Sequence, residues 1–538
     1  MKKEKSYRNV YLWGSGQLDD PHIQKHVSYF EELIPGGPIP PLADQPVSLK
    51  QKSKLSAREL DKLKAICGEQ EVNTDDFSRL KNSYGKFYAE LLELRFGKGL
   101  IATDAVVFPK SEEELSSIIE FANNQKISIV PFGAGSSVTR GTNAIGKCIT
   151  INLSKNYNKI INIDEVNMTV TAQAGILGPQ LEKALNEKGF TCGHFPQSFE
   201  FSTLGGWVSA RGAGQTSTGH GKIEQIMISA KLFTPAGEIH TMDFPAVSMG
   251  PDLNQIICGS EGSLGVISEV TIKIRRHRPQ HSKLMSFLFK DFESAVDAMR
   301  EIMQAQAGHP HMFRISDGDE TEVAFQMKKI SGSFADKFLN FLGYKPKQRS
   351  LLYATIEGDP DFNKFLSSKI KLACKKHGAF YLRAYATKKW LEQRYSSAYM
   401  RDPLMDKGIR LDTLETAVNW RNLSQCWSEV RKYVKSFPNA ICLTHISHAY
   451  ENGCNLYFVF GMPMAEKDEI GSFAEFHKGL IETIFSNGGS LSHHHGIGRM
   501  LAPFLEQAIG STGFHTLQSI KDKLDPNRIM NPGALNLE

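Results

Sequence analysis

The sequence lacks the features that mark several classes of protein. Only eight of its 538 residues are cysteine and no two form a C-x-x-C pair, which indicates reduced core thiols of an intracellular protein. No stretch approaches the ~18 apolar residues that a membrane-spanning helix needs. The basic start, MKKEKSYRNV, lacks a following signal-peptide core, and the end, LNLE, is no peroxisomal address. We therefore expect a cytoplasmic protein that can contact the inner membrane surface peripherally.

Neither sign of charge dominates the sequence. The 63 Lys and Arg residues and 58 Asp and Glu residues leave a formal net charge of +5. A nucleic-acid-binding protein usually concentrates basic residues on one element, so we expect no nucleic-acid partner. The length exceeds the ~250–300 residues at which single hydrophobic cores stop growing, which predicts two or three domains.

The pattern of the sequence divides the chain into four segments. Residues 1–95 are polar and Lys-rich and predict a helical extension. Short β-rich runs alternate with helices over 96–280. Apolar strands separated by long helices over 281–485 indicate an α+β domain with an antiparallel sheet. The last segment, 486–538, returns to Gly, His and Pro signals.

Several elements can be placed within these segments. Ser111 and Glu114 have the spacing of a capping box for a helix that ends near Asn124. The turn PAGE at 235–238 predicts a hairpin. Further strands are expected at 105–108, 127–130, 148–153, 168–173, 284–289, 351–357, 439–447 and 454–461.

Three glycine-rich loops occur in the second segment. PFGAGSSVT (131–139) directly follows the strand ISIV, and its glycines let successive backbone N–H groups form a concavity suited to a pyrophosphate. Two comparable loops, at 198–226 and 257–267, are rich in glycine and hydroxyl groups but poor in charge. Three such loops in one β-rich region predict a long ligand that lies close to the backbone.

Two common nucleotide-binding motifs are absent. No G-x-G pair continues to the third small residue of a Rossmann fingerprint. The stretch from Gly141 to Cys148 nearly spells a P-loop, but Cys148 replaces the required Ser or Thr and a strand-like ITINLS follows. We reject both motifs.

Four motifs resemble the FAD-linked oxidase family, also called the vanillyl-alcohol-oxidase or PCMH type. They are PFGAGSS, STLGGWVSARGAG, CGSEGSLGVI and LDPNRIMNPG, and they agree with that family in order and spacing. The resemblance implies FAD, a two-lobed FAD-binding domain at 96–280 and a substrate or cap domain at 281–485, with the last segment returning to the FAD site. It implies FAD contacts at Pro131, Phe132, Gly133, Ala134, Gly135, Ser136, Ser137, Gln197, Ser198, Phe199, Glu200, Phe201, Ser202, Thr203, Ala210, Arg211, Gly212, Ala213, Glu261, Gly262, Ser263, Leu264, Gly265, Val266 and Ile267.

Three adjacent histidines stand between glycines near the end of the chain, at His493, His494 and His495. Side chains alternate faces along an extended chain, so three successive histidines cannot all face one metal ion. Histidine is also the usual acid–base residue near neutral pH. We therefore favour catalysis over a solvated turn or a metal site, and we expect no bound metal.

The triplet resembles that of the alkyl-dihydroxyacetonephosphate synthases, the ether-lipid branch of the family. Other stretches agree with this branch in order: WGSGQ (13–17), CGHFPQSFEFSTLGGW (192–207), FRISD (313–317), YMRDPLMDKGI (399–409), LETAVNW (414–420) and CNLYFVF (454–460). On this resemblance the candidate catalytic residues are His194, Arg314, Arg401, Tyr457, His493, His494 and His495.

The alternative branch comprises the metal-assisted D-2-hydroxy-acid dehydrogenases, which resemble this chain less. They carry an H-x-G-D-G-N-x-H stretch whose histidines bind a divalent ion. Here Tyr450 and Tyr457 stand at both histidine positions, so that metal site should be missing.

The synthase resemblance implies exchange of the acyl chain of acyl-dihydroxyacetone phosphate for a fatty alcohol, through a flavin N5 adduct and without net redox change. Arg401 would bind the phosphate, Tyr457 would act as acid–base, and the histidine triplet would move protons and bind phosphate. Arg314 and His194 would organise the flavin and its loops. The implied partners are these lipids and a second copy of the chain in a homodimer.

Two other functions stay open. One is an FAD-linked oxidoreductase of a 2-hydroxy acid or alcohol, and the other is an FAD-binding protein with a degenerate site. A long-chain substrate also raises the question of membrane contact. Segment 325–349 places Phe334, Phe338, Leu339, Phe341 and Leu342 among six Lys and Arg residues, which fits either an interfacial segment or a core helix with a solvated basic face.

Overall fold

The computed structural model describes residues 5–12 and 21–538, so the WGSGQ motif at 13–17 lies outside the described residues. The N-terminal region contains α1 (Tyr7–Tyr11), α2 (Pro21–Leu33), α3 (Ala57–Cys67), β1 (Val72–Asn73), α4 (Asp76–Lys81) and α5 (Tyr88–Phe96).

The second segment follows with β2 (Ala105–Val107), α6 (Glu112–Gln125), β3 (Ser128–Phe132), β4 (Cys148–Asn152), β5 (Ile160–Asp164), β6 (Thr169–Gln173), α7 (Gly178–Asn186), β7 (Phe190–Thr191), α8 (Leu204–Ser209), α9 (Ser217–His220), α10 (Ile223–Ile226), β8 (Met227–Thr234), β9 (Gly237–His240), α11 (Leu253–Ile257), β10 (Val266–Lys273) and β11 (Arg275–Arg276).

The remainder contains β12 (Lys283–Phe289), α12 (Phe292–Gln304), β13 (Met312–Ser316), α13 (Gly318–Met327), α14 (Phe334–Phe341), β14 (Ser350–Ile356), α15 (Pro360–Lys376), β15 (Phe380–Arg383), α16 (Tyr385–Leu391), α17 (Arg401–Met405), β16 (Ile409–Asn419), α18 (Leu423–Lys435), β17 (Ile441–Ile446), β18 (Gly453–Pro463), α19 (Glu469–Ser486), α20 (Leu505–Ile509) and α21 (Ser511–Leu524).

The second segment folds into two lobes, each built on its own sheet. The first sheet has the order β1-β2-β4-β3, in which β1 comes from the N-terminal region and pairs antiparallel with β2, while β2 and β3 run parallel to β4. All five residues of β4 are buried, as expected for a parallel strand covered on both faces. The second sheet is antiparallel, with the order β5-β6-β10-β8-β9, and the predicted PAGE hairpin joins β8 to β9. One hydrophobic core is shared by both sheets.

The predicted capping box of α6 is only half formed. The Ser111 hydroxyl accepts a hydrogen bond from the Glu114 N–H at 3.3 Å, as predicted. The Glu114 carboxylate instead accepts from the Lys110 N–H at 2.8 Å. The sequence spacing therefore located the start of the helix but not the reciprocal bond.

The cap region is a seven-stranded antiparallel sheet with the order β15-β12-β14-β13-β17-β18-β16. Side chains alternate between its faces. On β18, Leu456, Phe458 and Phe460 enter the core with α18 and α19, whereas Tyr457 and Val459 face a cavity on the opposite side. The prediction of an α+β fold with an antiparallel cap sheet is confirmed.

Both ends of the chain are tied to the site region. Backbone bonds join Ile129 on β3 to Ile529 and Asn531, which returns the C-terminal segment to the first lobe. At the other end, Arg8 and Arg95 form ion pairs with Asp402, on the helix that begins at Arg401. The segment boundaries near 95, 280 and 485 stay a prediction.

All eight cysteines are buried and none forms a disulfide, as predicted. None of the helices within residues 5–12 and 21–538 combines the length and apolarity needed to span a bilayer.

Candidate active site

A cavity of about 930 Å³ lies between the two lobes and the cap sheet. The three glycine-rich loops form one side of it, and strands β13, β16, β17 and β18 contribute to the other. The predicted FAD-contact residues on its wall are Pro131, Phe132, Gly133, Ala134, Gly135, Ser136, Ser137, Gln197, Ser198, Ser202, Thr203, Ala210, Gly212, Ala213, Glu261, Gly262, Gly265, Val266 and Ile267.

The remaining predicted FAD contacts do not line this cavity. The Arg211 guanidinium turns away and donates to the Cys258 carbonyl, and Glu200 accepts from the Tyr399 hydroxyl. Phe199 packs against Trp207, and the Ser263 hydroxyl donates to the Ser260 carbonyl. The residues absent from the wall are Phe199, Glu200, Phe201, Arg211, Ser263 and Leu264.

The backbone of the first loop lies unusually close to its neighbours. A Cβ at Gly133 would overlap the hydroxyl of Thr203, which itself caps α8 by accepting from the Gly206 N–H. Gly135 has a φ of +73°, in the left-handed region that favours glycine. A residue with a side chain would clash at position 133 and be strained at position 135. Glycine at both positions therefore lets the loop present its backbone N–H groups to a phosphate.

Unpartnered polar groups also point to a ligand. The side-chain amide nitrogen and oxygen of Gln215, which lines the cavity, are buried and have no hydrogen-bond partner in the part of the chain that the structure describes. Buried polar groups normally have hydrogen-bond partners. The Gln215 amide can therefore donate a hydrogen bond to a bound ligand and accept one from it. Together with the glycine cradle, the residues present fit a bound dinucleotide flavin.

His194 lies behind the wall rather than on it. It is fully buried, its ring packs 4.8 Å from that of Trp207, and neither ring nitrogen has a hydrogen-bond partner within residues 5–12 and 21–538. Burial lowers the pKa of His194 to about 3, so the imidazole is neutral. This position suits its predicted role in organising the loop at 210–213.

A row of aligned residues crosses the cap sheet. Tyr457 on β18 pairs directly with Glu415 on β16 and with His445 on β17, and His445 pairs with Ser316 on β13. Directly opposed residues in antiparallel strands project from the same face. The strand register therefore brings a phenol, a carboxylate and an imidazole together from three separate strands.

Glu415 holds the histidine loop in place. Its carboxylate accepts from the backbone N–H groups of His493, His494 and His495 at 2.7, 3.1 and 3.0 Å, and from the Ser492 hydroxyl at 2.6 Å. Burial raises the pKa of Glu415, but the adjacent His494 and His495 and these hydrogen bonds outweigh burial and lower it to about 2. Glu415 is therefore a charged positioning residue.

Within the triplet, His494 and His495 line the cavity and His493 does not. His493 Nε2 bonds to the Tyr450 hydroxyl at 2.6 Å, and its Nδ1 lies 2.9 Å from His494 Nδ1. Burial lowers the pKa of all three imidazoles. His493 therefore contacts the cavity indirectly, through His494 and His448.

Tyr457 is enclosed by histidines. Its ring stacks on His445 at 4.7 Å and on His494 at 5.9 Å, and it meets the edge of His495 at 5.5 Å. Its hydroxyl donates to Thr413 Oγ1 at 3.1 Å, and burial raises the pKa of Tyr457 to about 12. The phenol is therefore neutral and oriented.

Both predicted arginines line the cavity but are already paired. Arg401 bonds to Asp412 at 2.7 Å and to the Lys86 carbonyl, while Arg314 bonds to Glu320 at 2.5 Å. Arg401 keeps further N–H donors, because a guanidinium carries five. Lys86 lines the same region, and burial lowers its pKa to about 7.

Several residues of this site were not predicted from the sequence. Glu415 lies in the LETAVNW stretch but received no role, and His445 and His448 in THISHAY were not selected. His448 matters for metal binding, because nitrogen atoms of His448, His493 and His494 lie within 4.8 Å of one another and could hold an ion. The alternation of side chains along the triplet excludes a metal site made of the triplet alone, and His448 lies outside the triplet. Both His448 nitrogens already have partners, Ser447 and Gly214.

Comparison with known proteins identifies the class. The model of the FAD binding domain matches residues 103–243, and that of the C-terminal domain of FAD linked oxidases matches 278–535. This chain is an FAD-linked oxidase-type flavoprotein, and FAD is its cofactor.

Proteins with a higher overall similarity to this chain identify its branch of the FAD-linked oxidase family. The alkyldihydroxyacetonephosphate synthase of Dictyostelium discoideum is 33% identical over 88% of this chain and 80% of its own. The Caenorhabditis elegans synthase is 35% identical over 84% and 79%. A solved alkyldihydroxyacetonephosphate synthase structure matches with a TM-score of 0.80 and 29% identity, over 95% of this chain and 92% of that one. The chain belongs to the alkyldihydroxyacetonephosphate synthase family, which confirms the resemblance.

The close approach of Gly133 to Thr203 in the first glycine-rich loop predicts the effect of a methyl group at this position. Gly133→Ala should weaken FAD binding roughly tenfold to a hundredfold, because the new methyl group overlaps Thr203 and overpacking costs about 1–3 kcal/mol. Visible absorbance per mole of purified protein, titrated with FAD, measures this. Gly513→Ala, on α21 with space for a methyl group, is the matched control and should bind FAD normally. Normal FAD affinity in Gly133→Ala would contradict the assignment of FAD to the loop that contains Gly133.

Proposed function

We propose that this enzyme exchanges the acyl chain of acyl-dihydroxyacetone phosphate for a fatty alcohol and thereby forms an ether lipid precursor. The observation that carries the proposal is the phenol–imidazole cluster of Tyr457, His494 and His495, which faces the FAD loops across the cavity. Its relatives bear the corresponding synthase name. When bound, FAD supplies the centre at which one chain replaces the other without net oxidation.

Arg401 is placed to bind the phosphate of the substrate. Its pairing with Asp412 and with the Lys86 carbonyl fixes the guanidinium at the cavity wall. A phosphate favours such a planar, permanently charged donor. The nearby Lys86 can add a second positive charge, since a dianion beside it would offset the effect of burial on its pKa.

The neutral Tyr457 and the cavity-facing histidines handle protons. Tyr457 can donate its phenolic proton, and His494 and His495 can accept or return one because their rings are held by Glu415 through the backbone. Removing water around them strengthens each of these interactions.

An apolar part of the cavity suits long chains. It lies between α13, α14, α16 and the cap sheet, and its wall includes Phe325, Leu339, Leu351, Tyr353, Leu382 and Trp390. Each buried CH₂ group of a fatty chain would contribute about 0.8 kcal/mol.

A second candidate function is a metal-assisted FAD-linked oxidoreductase of a 2-hydroxy acid or alcohol. The group of His448, His493 and His494 is the observation that favours it. That enzyme would bleach its flavin with substrate under anaerobic conditions and would pass electrons to an acceptor. The synthase would need no acceptor.

The two candidates are separated by one experiment. The purified flavoprotein is incubated anaerobically with acyl-dihydroxyacetone phosphate and a labelled fatty alcohol, with no electron acceptor. We expect labelled ether and one equivalent of released carboxylate. Absence of ether, together with flavin bleaching by a 2-hydroxy acid, would favour the oxidoreductase.

Tyr457→Phe should lower the exchange rate by about 10²–10⁴-fold, because the variant loses the phenolic proton but keeps the ring between His445 and His494. The protein should stay yellow. Tyr433→Phe, outside the cavity, is the matched control, since the Tyr433 hydroxyl donates to the Phe476 carbonyl. Full activity in Tyr457→Phe would remove this phenol from the mechanism.

We also propose that α14 contacts the membrane and that the enzyme is a homodimer. Phe334 and Phe341 are 87% and 86% exposed, although Leu339 on the same helix is buried. Lys328, Lys329 and Lys389 line the same cavity as Ala335 and Leu339 of this helix. Exposed aromatic rings flanked by positive charge suit an anionic bilayer surface, where a fatty alcohol resides.

Replacing both Phe334 and Phe341 by Ser should weaken binding to liposomes that contain anionic lipid, because the helix loses its apolar contact with the acyl boundary. Binding of the wild-type protein should also fall as salt is raised. Cosedimentation with vesicles measures both effects. Phe244→Ser, at an equally large exposed ring elsewhere, is the control. Equal binding of all three proteins would rule out docking through α14.

A further inference from the structure

A second carboxylate–imidazole pair lies on the cavity wall, apart from Glu415 and the histidine triplet. His445 Nδ1 bonds to Glu320 Oε2 at 2.9 Å, and the other oxygen of Glu320 accepts from Arg314 at 2.5 Å and from the Ser316 hydroxyl at 3.1 Å. Glu320 and His445 both line the cavity. Nothing in the proposed function has used this pair.

The pair fixes the tautomer of the imidazole. Burial raises the pKa of Glu320, but His445 and Arg314 outweigh burial and hold it far below its usual range, so the carboxylate is charged and accepts a hydrogen bond from Nδ1–H. Burial lowers the pKa of His445, with Arg314 acting in the same direction and Glu320 against it. Nε2 therefore carries the lone pair. Among the described residues, Nε2 forms no hydrogen bond, and the ring faces the cavity.

The same arrangement activates nucleophiles in other enzymes. A carboxylate on Nδ1 keeps the imidazole in the form whose Nε2 can take a proton from a hydroxyl group. Such a base must lie within hydrogen-bond reach of the proton that it removes. His445 meets this condition for a ligand in the cavity beside Tyr457, whose ring is stacked on it at 4.7 Å.

We propose that His445, oriented by Glu320, is a further catalytic residue that takes the proton of the fatty alcohol as the alcohol enters the ether. This inference rests on the proposed function. In the exchange, the bond between the substrate carbon and the acyl oxygen breaks and its electron pair leaves with the carboxylate. The alcohol oxygen forms the new bond to that carbon, and its O–H proton goes to His445 Nε2. One proton and one carboxylate are released per ether formed.

The neighbouring groups are less suited to this step. The Tyr457 hydroxyl is protonated and already donates to Thr413, so it can give a proton but not take one. His494 Nδ1 is occupied by His493 and lies 3.4 Å from Glu415. The charged and titratable groups that face His445 are Glu320, Arg314, His448 and Tyr457.

His445→Gln separates this role from a structural one. The FAD-loaded enzyme is first given acyl-dihydroxyacetone phosphate alone, and the release of labelled carboxylate is followed in a single turnover. A labelled fatty alcohol is then added and ether is measured. We expect the variant to release carboxylate at the wild-type rate but to form ether ~10²–10⁴-fold more slowly.

The pH dependence gives a second readout. Ether formation by the wild-type enzyme should fall on the acid side, as His445 becomes protonated, and this acid limb should disappear in His445→Gln. Glu320→Gln should also lose ether formation selectively, because an amide can donate to Nδ1 and so place the proton on Nε2. His477→Gln, at a buried histidine outside the cavity, is the matched control and should react normally.

Three outcomes would overturn the inference. Ether formation by His445→Gln at the wild-type rate would show that the imidazole is not the base. Equal loss of carboxylate release and ether formation would show that His445 only supports Tyr457. An unchanged acid limb would assign the titration to another group. If the wild-type enzyme itself makes no ether, the proposed function fails. That result comes from the wild-type enzyme alone, so it is distinct from the three outcomes above.

Discussion

The site depends on the hydrogen bonds between the Glu415 carboxylate and the backbone of the histidine loop. This carboxylate comes from the middle of β16, lies beside Tyr457 through the strand register, and accepts three successive backbone N–H groups of the histidine loop. A buried charge is stable only when it is well bonded. The C-terminal segment must therefore fold back onto the cap sheet, and in doing so it places His494 and His495 against the phenol that faces the FAD loops.

The fold and the cofactor could be predicted because their signals are contiguous. A glycine-rich loop after a strand, such as PFGAGSS after ISIV, predicts a phosphate-binding turn from its own residues. Apolar strands separated by helices predict the sheet of the cap region. The histidine triplet was selected because its histidines are adjacent between glycines, and Tyr457 through the resemblance to the synthase branch. The sequence could not show which side chains turn inward, so Arg211 and Phe199 were expected at the flavin but lie off the cavity wall.

The rest of the site comes from tertiary register, which a single sequence does not reveal. Glu415, His445 and Glu320 belong to different elements, and only the pairing of β13, β16, β17 and β18 makes them neighbours. The result is a phenol between two imidazoles, each positioned by its own carboxylate. Such a cluster can deliver and accept protons on opposite sides of one substrate.

Hydrogen exchange at the backbone of residues 492–496 tests the central claim most directly. Glu415→Ala removes the shared acceptor, and lost hydrogen bonds to a charged group cost about 1.5–3 kcal/mol. The account predicts that these amides exchange roughly ten- to a hundredfold faster in the variant while FAD stays bound. Unchanged protection of this loop in Glu415→Ala would contradict it, because the histidines would then be held in place by something other than this carboxylate.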